Sequence, residues 1–210
     1  MARRRGTNGD DYIISHKAIG DWIDGRAGDD HLFGYFGADW IFGGKGDDQL
    51  SGGGNDDRLQ GGVGNDGLDG EVGFDILKGG RGNDALGDAD GGLLYGGKGN
   101  DILYAGGGIG YHSWLGYTTL DGGVGSDLLG AVAADGDVIR LVGGPASDTS
   151  SDLFVIHADL ADTFDVWARY VRPGYDIELR FTLNGQALAD GGFSMFDADH
   201  TGLSTPTTAG

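Results

Sequence analysis

The chain has no cysteine and only three prolines, and both shortages limit what kind of protein it can be. Without cysteine it can form neither disulfides nor thiolate metal sites, and the cellular compartment stays open. The 210 residues include 46 glycines. So much glycine with so little proline argues against both an ordinary globular domain and a collagen-like one.

Glutamate and positive charge are scarce as well. Of the 33 acidic residues only Glu71 and Glu178 are glutamate, and the net charge is −19. An acidic surface that served only solubility would use both carboxylates. The near-exclusive use of aspartate therefore indicates fixed geometry, either in turns or around metal ions. The negative charge argues against a nucleic-acid partner and implies a cationic one.

Long apolar runs and catalytic motifs are missing too. Arg3–Arg5 could open a signal peptide, but polar residues follow instead of an apolar core, so neither a Sec-type signal nor a membrane span is visible. The sequence has no G-x-S-x-G, H-E-x-x-H or phosphate-loop motif, and its five histidines lack ligand spacing. We therefore expect no enzymatic activity.

What the chain does contain is a repeat of nine residues. Glycines precede an aspartate, and an aliphatic residue stands two positions after it, as in Gly43-Gly44-Lys45-Gly46-Asp47-Asp48-Gln49-Leu50. The regular aspartates are Asp21, Asp30, Asp39, Asp48, Asp57, Asp66, Asp75 and Asp84. Their aliphatic partners are Ile23, Leu32, Ile41, Leu50, Leu59, Leu68, Leu77 and Leu86. This constant spacing is typical of short structural repeats.

The repeat begins and ends irregularly. Ser15 is one residue too many after the first copy, which contains Asp11. The copy at 88–95 is one residue short and has Gly92 where aspartate belongs. The pattern returns at 96–104 with Asp101, is degenerate over 105–121, and occurs a last time at 122–130.

The spacing predicts a flattened coil and a metal. Three residues around one inward aliphatic form a short strand, and six glycine-rich residues form a wide turn, so two copies complete a coil of about 18 residues. Alternate copies then stack about 4.8 Å apart, and their aspartates form a column along each edge. Calcium would neutralise such columns, because it accepts six to eight oxygens, whereas magnesium fits poorly. The alternative is that the aspartates only brace turns.

These residues make the chain resemble the RTX, or haemolysin-type calcium-binding, repeat family, with the pattern G-G-x-G-x-D-x-U-x, over roughly residues 6–130. The resemblance implies a right-handed parallel β-roll with calcium along both edges, and often export by a type I secretion system. It places Asp21, Asp39, Asp57 and Asp75 on one edge, and Asp30, Asp48, Asp66 and Asp84 on the other. It adds turn carbonyls around Gly44, Gly46, Gly62, Gly64, Gly80 and Gly82. About six firm calcium sites follow, with Asp11–Asp30 and Asp84–Asp101 as weaker additions. We expect this region to be largely unfolded in chelator.

Aromatic residues mark one outward surface. Trp22 and Trp40 should be stacked neighbours, and we expect Phe33, Tyr35, Phe36 and Phe42 nearby. These rings either cover the end of the roll or pack under the C-terminal segment, or they form a patch for a protein or glycan partner.

The composition changes after Gly130, and the period of nine disappears. Strands are indicated at 137–142, 152–156, 164–171 and 177–183, with a hairpin turn at Asn184-Gly185. The sequence thus predicts an all-β protein of two domains: a β-roll at 1–130, and an antiparallel β-rich cap, for closure or interaction, at 131–210.

Three functions remain open. The chain could be a non-enzymatic, calcium-stabilised structural or interaction protein acting outside the cell, in adhesion or surface decoration. It could be the C-terminal module of a type I-secreted enzyme such as a lipase, protease or alginate epimerase. It could also decorate a virion or phage particle. The polar ending argues against a type I signal. All three place it outside the cell or on a cell or particle surface.

Overall fold

The computed structural model describes residues 2–16, 19–106, 117–133 and 138–142. Beyond these it describes only the course of strands at 152–160, 163–171, 176–180 and 196–197. Within this part, every regular element is a β-strand, and no helix is long and apolar enough to cross a membrane.

Two sheets share the strands alternately. The first sheet is 10-stranded and consists of β1 (Arg3–Arg5), β3 (Trp22–Ala27), β5 (Trp40–Lys45), β7 (Arg58–Val63), β9 (Asp75–Arg81), β11 (Gly92–Lys98), β13 (Tyr117–Val124), β15 (Val138–Val142), β18 (Asp176–Arg180) and β19 (Phe196–Asp197), in that order. The second sheet is 9-stranded and consists of β2 (Tyr12–Ile14), β4 (His31–Phe36), β6 (Gln49–Gly54), β8 (Gly67–Val72), β10 (Ala85–Asp88), β12 (Ile102–Ala105), β14 (Leu128–Ala133), β16 (Asp152–Leu160) and β17 (Thr163–Val171), again in that order.

Strands two apart in sequence pair in parallel, which confirms the coil inferred from the period. Leu32 is in register with Leu50, 18 residues on, and the shortened copy puts Leu77 opposite Leu94, 17 residues on. The degenerate stretch is absorbed in one longer coil, because Leu103 pairs with Leu129. The sheets therefore keep their register through both irregular copies, and the fold is the expected parallel β-roll.

The core is a double row of aliphatic side chains between the sheets. All eight aliphatic residues of the regular repeats are buried, and Leu94, Leu103, Leu120 and Leu129 extend the row. Each strand contributes its residue two positions after the aspartate, because neighbouring positions of a strand point to opposite faces. The predicted core is confirmed.

The turns need left-handed backbone at a fixed place in each copy. Gly44 and Gly62 have φ of 121° and 123°, and a side chain on Gly62 would lie 2.3 Å from the carbonyl oxygen of Gly44. Asn55 and Glu71, which replace turn glycines, have φ of 82° and 68°. Glycine recurs here because it reaches this region without strain and leaves room for the next coil.

The strands predicted after residue 130 are present as β15, β16, β17 and β18. β15 and β16 still pair in parallel with β13 and β14, and antiparallel pairing begins with β15–β18 and β16–β17. An antiparallel end to a parallel roll is thus confirmed. The division into domains at residue 130 stays a prediction, and parallel pairing crosses it. Asn184-Gly185 lies outside the described residues.

The aromatic residues lie on two surfaces, so one expectation is wrong. Trp22 is in register with Trp40, and its ring lies 5.6 Å from that of Phe42 in the first sheet. Phe33, Tyr35 and Phe36 belong to β4 in the second sheet and are not neighbours of the tryptophans. Successive copies enter opposite sheets, so residues nine apart in sequence cannot share a face.

Candidate metal centre

The repeat aspartates form two columns, one at each edge of the roll. Each stands directly before a strand, or opens one as Asp75 does in β9, and the wide turn before it brings it against the next coil. The eight regular aspartates are at most 2% exposed. Carboxylates are rarely so buried without a compensating partner.

One oxygen of each carboxylate links neighbouring coils. Oδ1 of Asp57 accepts the backbone N–H of Asp39 at 2.6 Å, and Oδ1 of Asp75 accepts that of Asp57 at 2.7 Å. On the other edge the ladder runs without a break through Asp11, Asp30, Asp48, Asp66, Asp84, Asp101 and Asp127. The arrangement of the predicted aspartates on two edges is therefore present.

The other oxygen of most of these carboxylates has no hydrogen-bond partner. Oδ2 is buried and unpaired in Asp30, Asp39, Asp48, Asp57, Asp66, Asp75, Asp84, Asp88 and Asp101. A buried polar atom left without a partner costs about 1–3 kcal/mol, and more when it is charged. Orphan oxygens that recur at the same place in successive coils indicate a cation-binding site rather than a packing accident.

At several of the orphan oxygens, such as those of Asp39 and Asp101, a backbone carbonyl faces the same space. A Cβ built on Gly34 would lie 2.5 Å from Oδ2 of Asp39 and 2.6 Å from the carbonyl oxygen of Gly52. On Gly96 the corresponding distances are 2.4 Å to Oδ2 of Asp101 and 2.6 Å to the oxygen of Gly122. Glycine therefore leaves open a small space lined by carboxylate and carbonyl oxygens.

Burial makes these carboxylates hard to ionise. Desolvation raises the pKa of Asp48 to about 6, of Asp57 and Asp66 to about 7, and of Asp75 to about 8. Backbone hydrogen bonds oppose this shift, and neighbouring carboxylates add to it. A bound cation would favour the ionised form instead.

The donor set fits calcium. All of the facing atoms are oxygens, which calcium prefers. Among the described residues, no three His, Cys, Asp or Glu side chains converge as a metal site. A cation at these columns would therefore need main-chain carbonyls as well, as the carbonyls of Gly52 and Gly122 provide.

The predicted ligands differ in their surroundings. Asp11 and Asp21 already have donors to Oδ2: the Thr7 backbone N–H at 2.5 Å in the first case and the Ser15 hydroxyl in the second. The carbonyl oxygens of the six glycines predicted from the repeat pattern, Gly44, Gly46, Gly62, Gly64, Gly80 and Gly82, each face a turn glycine of the next coil. The carbonyl oxygens that lie beside the carboxylates belong instead to the first glycine of the turn, such as Gly52. As calcium ligands, all of the nominated residues stay a prediction.

Two aspartates that the sequence analysis did not predict as ligands also lie in the columns. Asp127 continues one ladder, and its position in the last regular copy could have identified it. Asp88 has the same orphan Oδ2 but stands at a glycine position, where the repeat pattern gives no signal for it.

A second ladder runs along the exposed turns of one edge. The side chain of each member accepts the backbone N–H of the next, as Asp47 does from Asn65 at 2.7 Å and Asn65 does from Asn83 at 2.8 Å. Its members are Asp10, Asp29, Asp47, Asn65, Asn83, Asn100 and Ser126. Both aspartate and asparagine serve as acceptors in this ladder, because each member uses only one acceptor oxygen.

Comparison with known families agrees with the repeat pattern. The family described as RTX calcium-binding nonapeptide repeat (4 copies) matches residues 19–50, 33–68, 51–86 and 87–110. The resemblance drawn from the sequence is confirmed over residues 19–110. No curated protein matches the chain at a significant level.

Proposed function

We propose that this chain, in which residues 19–110 are RTX calcium-binding nonapeptide repeats, is a non-enzymatic interaction protein whose shape depends on calcium. The roll is the frame, and its outward faces make the contacts. Because calcium is abundant outside cells, we place its activity there or on a cell or particle surface.

The contrast between the two kinds of ladder supports this function. The exposed ladder, which only braces turns, uses asparagine as readily as aspartate. The side chains that accept the ladder hydrogen bonds in the buried columns are all aspartate, although asparagine would supply the same Oδ1 acceptor. The second carboxylate oxygen and the charge must therefore matter, and both serve a cation.

Removal of calcium tests the frame. A site at tenfold its dissociation constant adds about 1.4 kcal/mol, so several sites together approach the stability of a whole domain. We expect circular dichroism to show strand signal in millimolar calcium and its loss in chelator. An unchanged signal in chelator would leave the columns as turn braces only.

Positive charge is concentrated on one sheet. Of the side chains described between residues 2 and 142, every lysine and arginine belongs to a strand of the first sheet: Arg3, Arg4, Arg5, Arg26, Lys45, Arg58, Lys78, Arg81, Lys98 and Arg140. The first sheet is thus a basic surface on an acidic molecule.

Two tryptophans lie within this basic surface. Arg3, Trp22, Trp40 and Arg58 follow one another in register, a set we call the Arg–Trp row. The Arg3 guanidinium lies 5.4 Å from the Trp22 ring centroid, and that of Arg58 lies 5.1 Å from the Trp40 centroid. Guanidinium groups bind carboxylates well, and exposed rings stack on flat partners. We propose that this row binds a partner bearing carboxylates.

Paired substitutions test the row. We expect Trp40→Ala and Arg58→Gln to weaken binding to a polyuronate at least tenfold in calcium, measured by calorimetry. Tyr104→Ala is the control, because Tyr104 is 42% exposed on the second sheet, close to the 41% of Trp40. Polyglutamate distinguishes an acidic polypeptide partner from a glycan. Equal binding by all variants would remove this surface from the proposal.

A further inference from the structure

The shortened copy interrupts one column. Asp75 is in register with Gly92, so the edge formed by Asp21, Asp39, Asp57 and Asp75 has no aspartate at the next ladder position. By the repeat pattern alone, this column ends at Asp75.

An aspartate occupies the glycine position of the same copy. Gly87 is in register with Asp69, so Asp88 takes the place that Gly70 has one coil earlier. A Cβ built on Gly70 would lie 2.3 Å from Oδ2 of Asp75. A side chain at this position is therefore directed into the space beside the column.

Asp88 fills that space in the way a ligand would. It is 2% exposed, and its Oδ1 accepts the N–H groups of Gly91 at 2.8 Å and Asp90 at 3.1 Å. Its Oδ2 has no hydrogen-bond partner and lies 3.0 Å from where a Cβ of Gly92 would be. In this copy Asp88 stands at the usual glycine position and Gly92 at the usual aspartate position, so the carboxylate enters the space from the opposite side.

We propose that Asp88 supplies the carboxylate that Gly92 lacks, so that a calcium ion binds beside Asp75 and this column continues for one more coil. The inference rests on the proposed calcium-dependent function. Among the acidic groups around Asp75, Asp88 exerts the largest repulsion. A shared cation would turn that repulsion into attraction.

Ion counting tests the assignment. Asp88→Asn keeps an acceptor for the turn N–H groups and removes the charge, and Asp90→Asn is a matched change in the same turn. We expect native mass spectrometry of the folded chain to show one calcium ion fewer for Asp88→Asn and no change for Asp90→Asn. An Asp88→Asn chain that binds as many ions as the parent would overturn the inference and leave the calcium-dependent frame intact. A parent chain that binds none would overturn the frame itself.

A diffraction measurement on the parent chain is independent of how the variants fold. Anomalous scattering from calcium-loaded crystals should place an ion about 2.3–2.6 Å from Oδ2 of Asp88, the usual calcium–oxygen distance. Ions along Asp39 and Asp57 with none beside Asp88 would show that Asp88 serves only its own turn.

Discussion

The hydroxyl of Ser15 donates a hydrogen bond to Oδ2 of Asp21, the atom that is unpaired in the later members of that column. On the other edge, the Thr7 hydroxyl and backbone N–H reach Oδ2 of Asp11 at 3.1 and 2.5 Å. Both columns therefore begin with a carboxylate that the protein itself satisfies. The N-terminal coil has local donors where the following coils have oxygens facing a space suited to a cation.

Ser15→Ala tests this capping. Loss of the hydroxyl leaves Oδ2 of the buried Asp21 without that donor, so we expect the free energy of unfolding in calcium to fall by about 1–3 kcal/mol. Ser51→Ala is the control, because Ser51 bonds the exposed side chain of Glu71 and should change stability by less than about 0.5 kcal/mol. Equal stability of the two variants in urea unfolding would contradict the capping role.

The period of nine predicted the strands, the core and the two columns. Each copy contributes one short strand and one turn, so copies two apart can stack in only one register. It could not predict Asp88, which reaches its column from a glycine position. Nor did it predict the separation of Phe33 from Trp22, since that follows from which sheet each copy enters. In the sequence Ser15 is only an extra residue after the first copy. Its hydrogen bond to Asp21 depends on how the chain closes the first coil, which the repeat pattern does not specify.

Asp57→Asn should have opposite effects with and without calcium. Asparagine still accepts the N–H of Asp39 but replaces the orphan oxygen with an amide. We expect a higher calcium midpoint for folding, with a loss of about 1.4 kcal/mol at tenfold the dissociation constant of one site. In chelator the variant should keep at least as much strand signal as the parent, because a buried charge has been removed.

Asp56→Asn is the matched control for that experiment. Asp56 is exposed, and its Oδ1 accepts only the N–H of Phe74 at 3.1 Å, which asparagine can also accept. Its calcium midpoint, measured by circular dichroism, should equal that of the parent. If Asp57→Asn and Asp56→Asn shift the midpoint equally, the buried column has no special role.

Gly62→Ala should destabilise the roll by about 2 kcal/mol or more. Its φ of 123° disfavours any side chain, and the new Cβ would lie 2.3 Å from the carbonyl oxygen of Gly44. Gly87→Ala is the control, because a Cβ on Gly87 meets no atom within 4 Å. Thermal unfolding in calcium should separate the two, and a similar melting temperature for both would contradict the close approach of neighbouring coils.

Calcium affinity should rise with pH. Without calcium, the folded pKa values of about 7 for Asp57 and about 8 for Asp75 lie above the ordinary 3.8, so the folded chain holds more protons than the unfolded chain between about pH 4 and 8. The stability that protonation of these two groups contributes to the calcium-free form is therefore fully present below about pH 4 and is lost as pH rises through 7 and 8. Calcium must displace these protons, so its apparent affinity should increase from about pH 6 to 8. Calorimetry at about pH 7 in buffers of different ionisation enthalpy should detect proton release, smaller in Asp75→Asn. Binding that is independent of buffer and of pH would mean that these carboxylates are not the ligands.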